Sequence, residues 1–278
     1  MSIFNALFFG FIQGLTEFIP VSSSAHLSVL FSLFGINASG FNTDAFVAFT
    51  HFGTMIAAII LYAGDFAEIF FQSLEFIAAA GGQEGKRRRV FPAVRLLVMM
   101  LFAMLPLFLI LPLNDYFFRL GENTAVIGAM LILSGIILAI SDRLEEGKKA
   151  ERSMGIYDAI IIGLCQAVSA IPGISRIGTV YTAGIATGHS RAFAARFAVM
   201  ISVPVILFSN IFRLFHAASA SFALADLGPC FAGMAAAIVG GILSIRVFRS
   251  LVKNRQFHAV GYYCWVAGVL VIILTMIF

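Results

Sequence analysis

Glu17, Ser23, His26 and Arg176 are a carboxylate, a hydroxyl, an imidazole and a guanidinium set in otherwise apolar stretches. Glu17 stands four residues after Gln13, so on a continuous helix both side chains share a face. Ser22, Ser23 and Ser24 follow Pro20, and His26 lies three residues past Ser23. If a helix restarts near Pro20, Ser23 and His26 become neighbours at the spacing a hydroxyl nucleophile and its base would use. Farther along, Gly173 and Gly178 bracket Ser175 and Arg176. Such a turn before a helix offers backbone N–H groups to an anion, while the guanidinium grips phosphate oxygens. Taken alone, a Ser run behind a proline reads first as a helix cap, and His26 as a packed or hydrogen-bonded histidine. Glu17 and Arg176 shift that balance, because an ionisable group in apolar surroundings needs an opposite charge, a metal or a charged ligand.

The elements that would carry these residues are related. Asn5, Ala6, Gly10 and Gln13 recur at the same spacing as Asp158, Ala159, Gly163 and Gln166; Ile19-Pro20 matches Ile171-Pro172 one residue out of step, and Ser23 falls opposite Ser175. Two halves, 1–141 and 154–278, each with a polar break at the same place, point to a site at the interface of the halves.

The surrounding chain is lipid-soluble in character. Of 278 residues, 60% are hydrophobic and 12% charged, and the mean hydropathy is +0.99, against roughly 25% charged residues in soluble domains. This is the composition of a single, polytopic, all-α membrane domain. No basic region precedes the first apolar run and no small-residue cleavage site follows it, so insertion through the chain's own helices is expected. Cys165, Cys230 and Cys264 lie in apolar contexts without metal-ligand spacing and read as packing residues. Six runs are long enough to cross the bilayer: 46–63, 94–112, 124–141, 193–213, 229–247 and 259–277.

Basic residues then fix the topology. The run 86–89, then Arg143, Lys148, Lys149 and Arg152, then Arg249, Lys253 and Arg255 fall on one side, which should be cytoplasmic; loops 113–123 and 214–228 contain only Arg119 among Lys and Arg. The alternation holds only if segments 1–45 and 154–192 each enter and leave on one face, as re-entrant helical hairpins do. The second half is then inverted relative to the first, and the hairpin tips can meet near mid-membrane, where irregular backbone requires protein or a water-filled cavity around it. Asp65, Glu68, Asp142, Glu145 and Glu146 lie at span ends and receive no chemistry.

The segment Gln13, Glu17, Pro20, Ser22, Ser23, His26 resembles the first signature of the undecaprenyl-pyrophosphate phosphatase family associated with bacitracin resistance, and Pro172, Gly173, Ser175, Arg176 resembles the second. The likeness runs across nearly the whole chain, through Phe52-Gly53-Thr54 and through Ala194 to Phe197 towards Pro204. It implies a membrane enzyme of the plasma (inner) membrane that removes the terminal phosphate of undecaprenyl diphosphate, from a pocket reached from the outer face. By the same resemblance Glu17, with Gln13, binds a divalent cation (Mg2+ or Ca2+); Ser23, or else Ser22 or a water, is the nucleophile; His26 is its base or the acid for the leaving group; Arg176, Ser175, Gly173 and Thr179 hold the diphosphate. The partners implied are the polyprenyl diphosphate lipid and the bilayer, with a homodimer left open and no nucleic acid. Departures cluster in the second signature: Ile177 and Val180 replace a Ser and a Thr, with Thr179 one place early, and His51 stands where the family has Gln. The alternative is a transporter or flippase for a phosphorylated lipid or small anion, since inverted repeats with broken helices serve that function equally.

Overall fold

The computed structural model describes residues 1–36, 41–80, 91–219 and 224–277. The basic run 86–89 lies outside the described residues. Those described form twelve α-helices and, among them, no β-strand. In chain order they are α1 (Ile3–Phe18), α2 (Ser23–Leu33), α3 (Thr43–Leu61), α4 (Ala63–Ala80), α5 (Pro92–Ile110), α6 (Asn114–Glu122), α7 (Thr124–Arg143), α8 (Ile156–Val168), α9 (Arg176–Ala186), α10 (Arg191–Ser219), α11 (Leu227–Asn254) and α12 (Phe257–Ile277). Helices α3, α5, α7, α10, α11 and α12 are each long and apolar enough to cross a membrane. They overlie the six expected runs, so the chain is an all-α, multi-pass membrane protein.

The four remaining helices that matter for the site are too short to span. Helix α1 has 16 residues and α2 has 11, or roughly 24 and 16 Å against a hydrocarbon core of about 30 Å. Helices α8 and α9, with 13 and 11 residues, repeat the pattern. The first break follows from Pro20: the residue before a proline is pushed out of the helical region, and Ile19 is extended, at φ −72° and ψ 126°. The second spans residues 169–175 around Pro172 and Gly173. Sequence reading did not foresee α4, whose Asp65, Glu68 and Glu75 keep it off the list of spans, or the short α6.

Packing is reciprocal. Helix α1 lies along α11, and α8 along α5, so each short helix rests on a long helix from the other half of the chain. Helix α3 packs on α10 and α11, and α12 on α7. Small residues let these backbones approach: a Cβ added at Gly10 would strike the Gly233 backbone, one at Gly14 would strike Ala237, Gly240 and Gly241, and one at Gly163 would strike Ala103. Ser244 of α11 also donates to the Gly14 carbonyl at 2.8 Å. Outward, Phe4, Phe70, Phe71, Ile77, Val266 and Leu270 are exposed, as lipid-facing side chains should be. Cys230 and Cys264 are buried and all three cysteines are free.

The span-end charges do structural work. Asp142 accepts from His258, Glu146 pairs with Arg255, and Arg196 bridges Asp65 and Glu151. These bonds join the loops that the basic-residue pattern assigns to one face. On that face Lys149 also pairs with Asp158, which caps α8 through the Gly155 N–H.

Candidate active site

The two broken segments meet. Glu17, in the last turn of α1, is 6% exposed, and its Oε1 lies 3.7 Å from an Arg176 Nη at the start of α9. Its Oε2 accepts hydrogen bonds from Gln13 Nε2 and from Ser23 Oγ, both at 2.8 Å. His51 of α3 closes the cluster, with Nε2 at 3.5 Å from Glu17 Oε2. One buried carboxylate therefore gathers an amide, a hydroxyl, an imidazole and a guanidinium from α1, α2, α3 and α9. The Arg176 Nη nearest Glu17 and Gln13 Oε1 are both buried without a hydrogen-bond partner in the structure. Buried polar groups are rarely left so.

Ser23 and His26 share the first turn of α2, but their hydrogen bonds run elsewhere than the nucleophile–base spacing suggests. Ser23 donates to Glu17, while His26 Nδ1 lies 2.9 Å from the Ser22 carbonyl and Nε2 lies 2.6 Å from the Tyr263 hydroxyl of α12. A carbonyl only accepts, so Nδ1 carries the proton and, in the neutral ring, Nε2 accepts from Tyr263. Ser22 is the N-cap of α2 but makes no side-chain cap bond. It sits at φ 65°, a region costly for a residue with a Cβ. That conformation aims its carbonyl at His26.

The second segment binds itself together. Gly173 takes φ 103°, and a Cβ there would meet Met130 and Ile127 of α7, so only glycine fits. Ser134 of α7 donates to the Gly173 carbonyl and accepts from the Ser175 N–H, each at 2.9 Å. The Ser175 hydroxyl caps α9 by accepting from Gly178 N–H at 3.1 Å. Thr179 donates back to the Ser175 and Arg176 carbonyls, so its hydroxyl is engaged by its own helix. Ile177 and Val180, at 2% and 1% exposure, belong to the hydrophobic core with Phe18 and Leu138. The two departures thus enlarge the core, and Arg176 is the side chain of this segment that faces Glu17.

Besides His51, two residues outside the signatures enter the site. Tyr263 carries no local signal; in sequence it is the second of two adjacent tyrosines, Tyr262 and Tyr263, in an apolar span. Arg213 of α10, 3.3 Å from Asp44 of α3, lies within electrostatic reach of Glu17 and Arg176, and only its place on a span hinted at function.

A divalent cation fits the donors present. The Glu17 carboxylate, the unpartnered Gln13 Oε1 and the Ser23 hydroxyl are hard oxygen ligands around a single charge, the kind of site at which Mg2+ or Ca2+ completes its shell with water and substrate phosphate. Among the described residues no three His, Cys, Asp or Glu side chains converge on one point.

Six spanning helices and a buried carboxylate–hydroxyl–guanidinium cluster, built where two broken helix pairs meet, define a polytopic membrane protein with a charged polar core. A family model described as "Bacitracin resistance protein BacA" matches residues 6–270, and the chain belongs to that family. It is similar to proteins named undecaprenyl-diphosphatase: 32% identical to one from Halothermothrix orenii, covering 100% of both chains. It is 34% identical to one from Pelotomaculum thermopropionicum (99% of this chain, 97% of the relative) and 33% identical to one from Methanobrevibacter smithii (98% and 97%).

Proposed function

We propose that this protein hydrolyses undecaprenyl diphosphate to undecaprenyl phosphate and inorganic phosphate, returning the lipid that carries cell-wall precursors. The observation that carries this reading is the convergence of Ser23 and Arg176 on the buried Glu17 from the two halves of the chain. Family membership and the relatives' shared name favour it over the transporter alternative.

The Arg176 Nη that lies beside Glu17 without a hydrogen bond binds a terminal phosphate oxygen, and N–H groups at the start of α9 face the same charge. Ser23 Oγ attacks the terminal phosphorus and gives its proton to the Glu17 carboxylate, which already accepts its hydrogen bond. The Oγ–P bond forms as the bridging P–O bond breaks, and its electron pair leaves with the lipid monophosphate, a weakly basic group that needs little protonation. Water then attacks the phosphoserine phosphorus as the P–Oγ bond breaks: Ser23 Oγ takes its proton back from Glu17, the water's proton leaves on the inorganic phosphate, and His26, bonded to the Ser22 carbonyl and to Tyr263, positions the turn that carries Ser23. Glu17 and Gln13 would hold a divalent cation, which when bound would supply charge neutralisation at the phosphate oxygens. We place the protein in the plasma membrane with the site open to the outer face, and read 1–141 and 154–278 as inverted repeats, a reading supported by the reciprocal packing of α1 on α11 and α8 on α5. No second copy of the chain is needed to complete the site.

Phosphate release from undecaprenyl diphosphate by detergent-purified protein with Mg2+ is the test. Arg176→Ala should lower kcat/KM by at least about 10²-fold, the usual loss for one preorganised donor to a developing anion. No release by wild type, or equal release by Arg176→Ala and His26→Ala, overturns the reading.

A further inference from the structure

Resting on the reading that Glu17 holds a divalent cation, we propose that His51 Nε2 is a further ligand of that cation and tilts the site towards a borderline ion such as Mn2+ over Mg2+ or Ca2+. The argument begins with a tautomer. His51 Nδ1 lies 2.9 Å from the Val47 carbonyl, one turn back on α3. The carbonyl only accepts, so the Nδ1 proton is spent there, and the neutral ring directs the Nε2 lone pair outward. What it meets is Glu17 Oε2 at 3.5 Å, with the imidazole 14% exposed and the carboxyl 6% exposed.

Two lone pairs facing each other in a buried site repel. A cation between them removes the repulsion and uses both. A carbonyl bond from the far ring nitrogen is also the arrangement that orients metal-bound histidines and raises their basicity. Gln13 supplies the second, independent observation: it is fully buried and its Oε1 has no partner, as a ligand oxygen awaiting its ion would be. Arg176 approaches the other carboxylate oxygen, Oε1, and a cation at Oε2 would displace the Gln13 Nε2 hydrogen bond there, the amide turning to present its Oε1 to the ion. His26 does not compete, because its Nε2 is taken by Tyr263. Oxygen donors alone suit Mg2+ and Ca2+, whereas an imidazole favours later ions in the Mn2+ to Zn2+ order.

Metal-stripped, detergent-solubilised full-length protein titrated with Mn2+ and followed by electron paramagnetic resonance tests this directly. Wild type should show 14N coupling from one imidazole, retained in H26A and absent in H51Q. H51Q should weaken Mn2+ binding by about tenfold or more while leaving Mg2+ competition nearly unchanged. Equal Mn2+ affinity in H51Q, or bound Mn2+ without nitrogen coupling, overturns the proposal and means the His51–Glu17 pair is bridged by a proton. Phosphate release measured on the same samples separates the two layers. Turnover without a nitrogen signal sinks only the His51 ligand, and Mn2+ binding unaffected by E17Q sinks the cation site together with it.

Discussion

Tyr263 shows how much of this site depends on a single side chain contributed from far away in the chain. Its hydroxyl is the only hydrogen-bond donor the described residues offer to His26 Nε2, 237 positions earlier. The bond also selects the tautomer that the strained Ser22 carbonyl requires. Tyr263→Phe keeps the ring that stacks near the imidazole and deletes only the donor. We expect kcat to fall about five- to tenfold, the worth of one net hydrogen bond of about 1 kcal/mol, with KM little changed; steady-state phosphate release measures both. Glu17 and Arg176 were legible in the sequence because charge in apolar surroundings is costly and therefore informative. Tyr263 was not, since a tyrosine in a span carries no such cost, and only the packing of α12 against α7 brings it to α2.

At the scale of elements, the turn between α8 and α9 is specified twice, by glycine geometry and by Ser134. Gly173→Ala should destabilise the protein by about 1–3 kcal/mol through its positive φ alone, with further loss from the collision with α7. Thermal unfolding in detergent, compared with an alanine change at exposed Gly64, measures the difference. The same turn explains which parts of the second signature could be read from sequence. Proline and glycine announced the break, and Arg176 its chemistry. The fates of Ser175 and Thr179 were hidden, because a hydroxyl near a helix start serves ligand, cap or backbone equally well, and only the position of the cap, at Ser175, decides between them. Likewise the six spans were visible as apolar runs, whereas α4 was masked by three carboxylates, of which Asp65 pairs with Arg196 of α10 and Glu68 accepts from Gln72 one turn on.

On the scale of the whole molecule, the face built from the α7–α8 and α9–α10 connections behaves as a clasp. His189 is fully buried there, with Nδ1 bonded to the Gly184 carbonyl and Nε2 at 3.9 Å from Asp158. Burial holds its imidazole below the ordinary value of 6.5, against the opposing pull of Asp158. The folded chain therefore binds fewer protons than the unfolded chain, so the contribution to stability is complete above about pH 6.5 and is lost as the pH falls below that value through the lower folded-state one. Unfolding midpoints from pH 8 to pH 5 should decline more steeply for wild type than for His189→Gln.

The glycine seams between α1 and α11 and between α5 and α8 have a consequence for assembly. Each half of the chain carries a groove that fits only the other half's short helix, so a backbone cut between residues 144 and 155 would turn an intramolecular fit into an obligate heterodimer. Two co-expressed fragments should then reconstitute activity with a stability that rises with their concentration, as mass action requires. Either fragment alone should be degraded, and Gly10→Leu in the first should abolish the rescue. The peptide link between the halves acts as a tether that sets effective concentration, and the recognition that joins them is written in the seams.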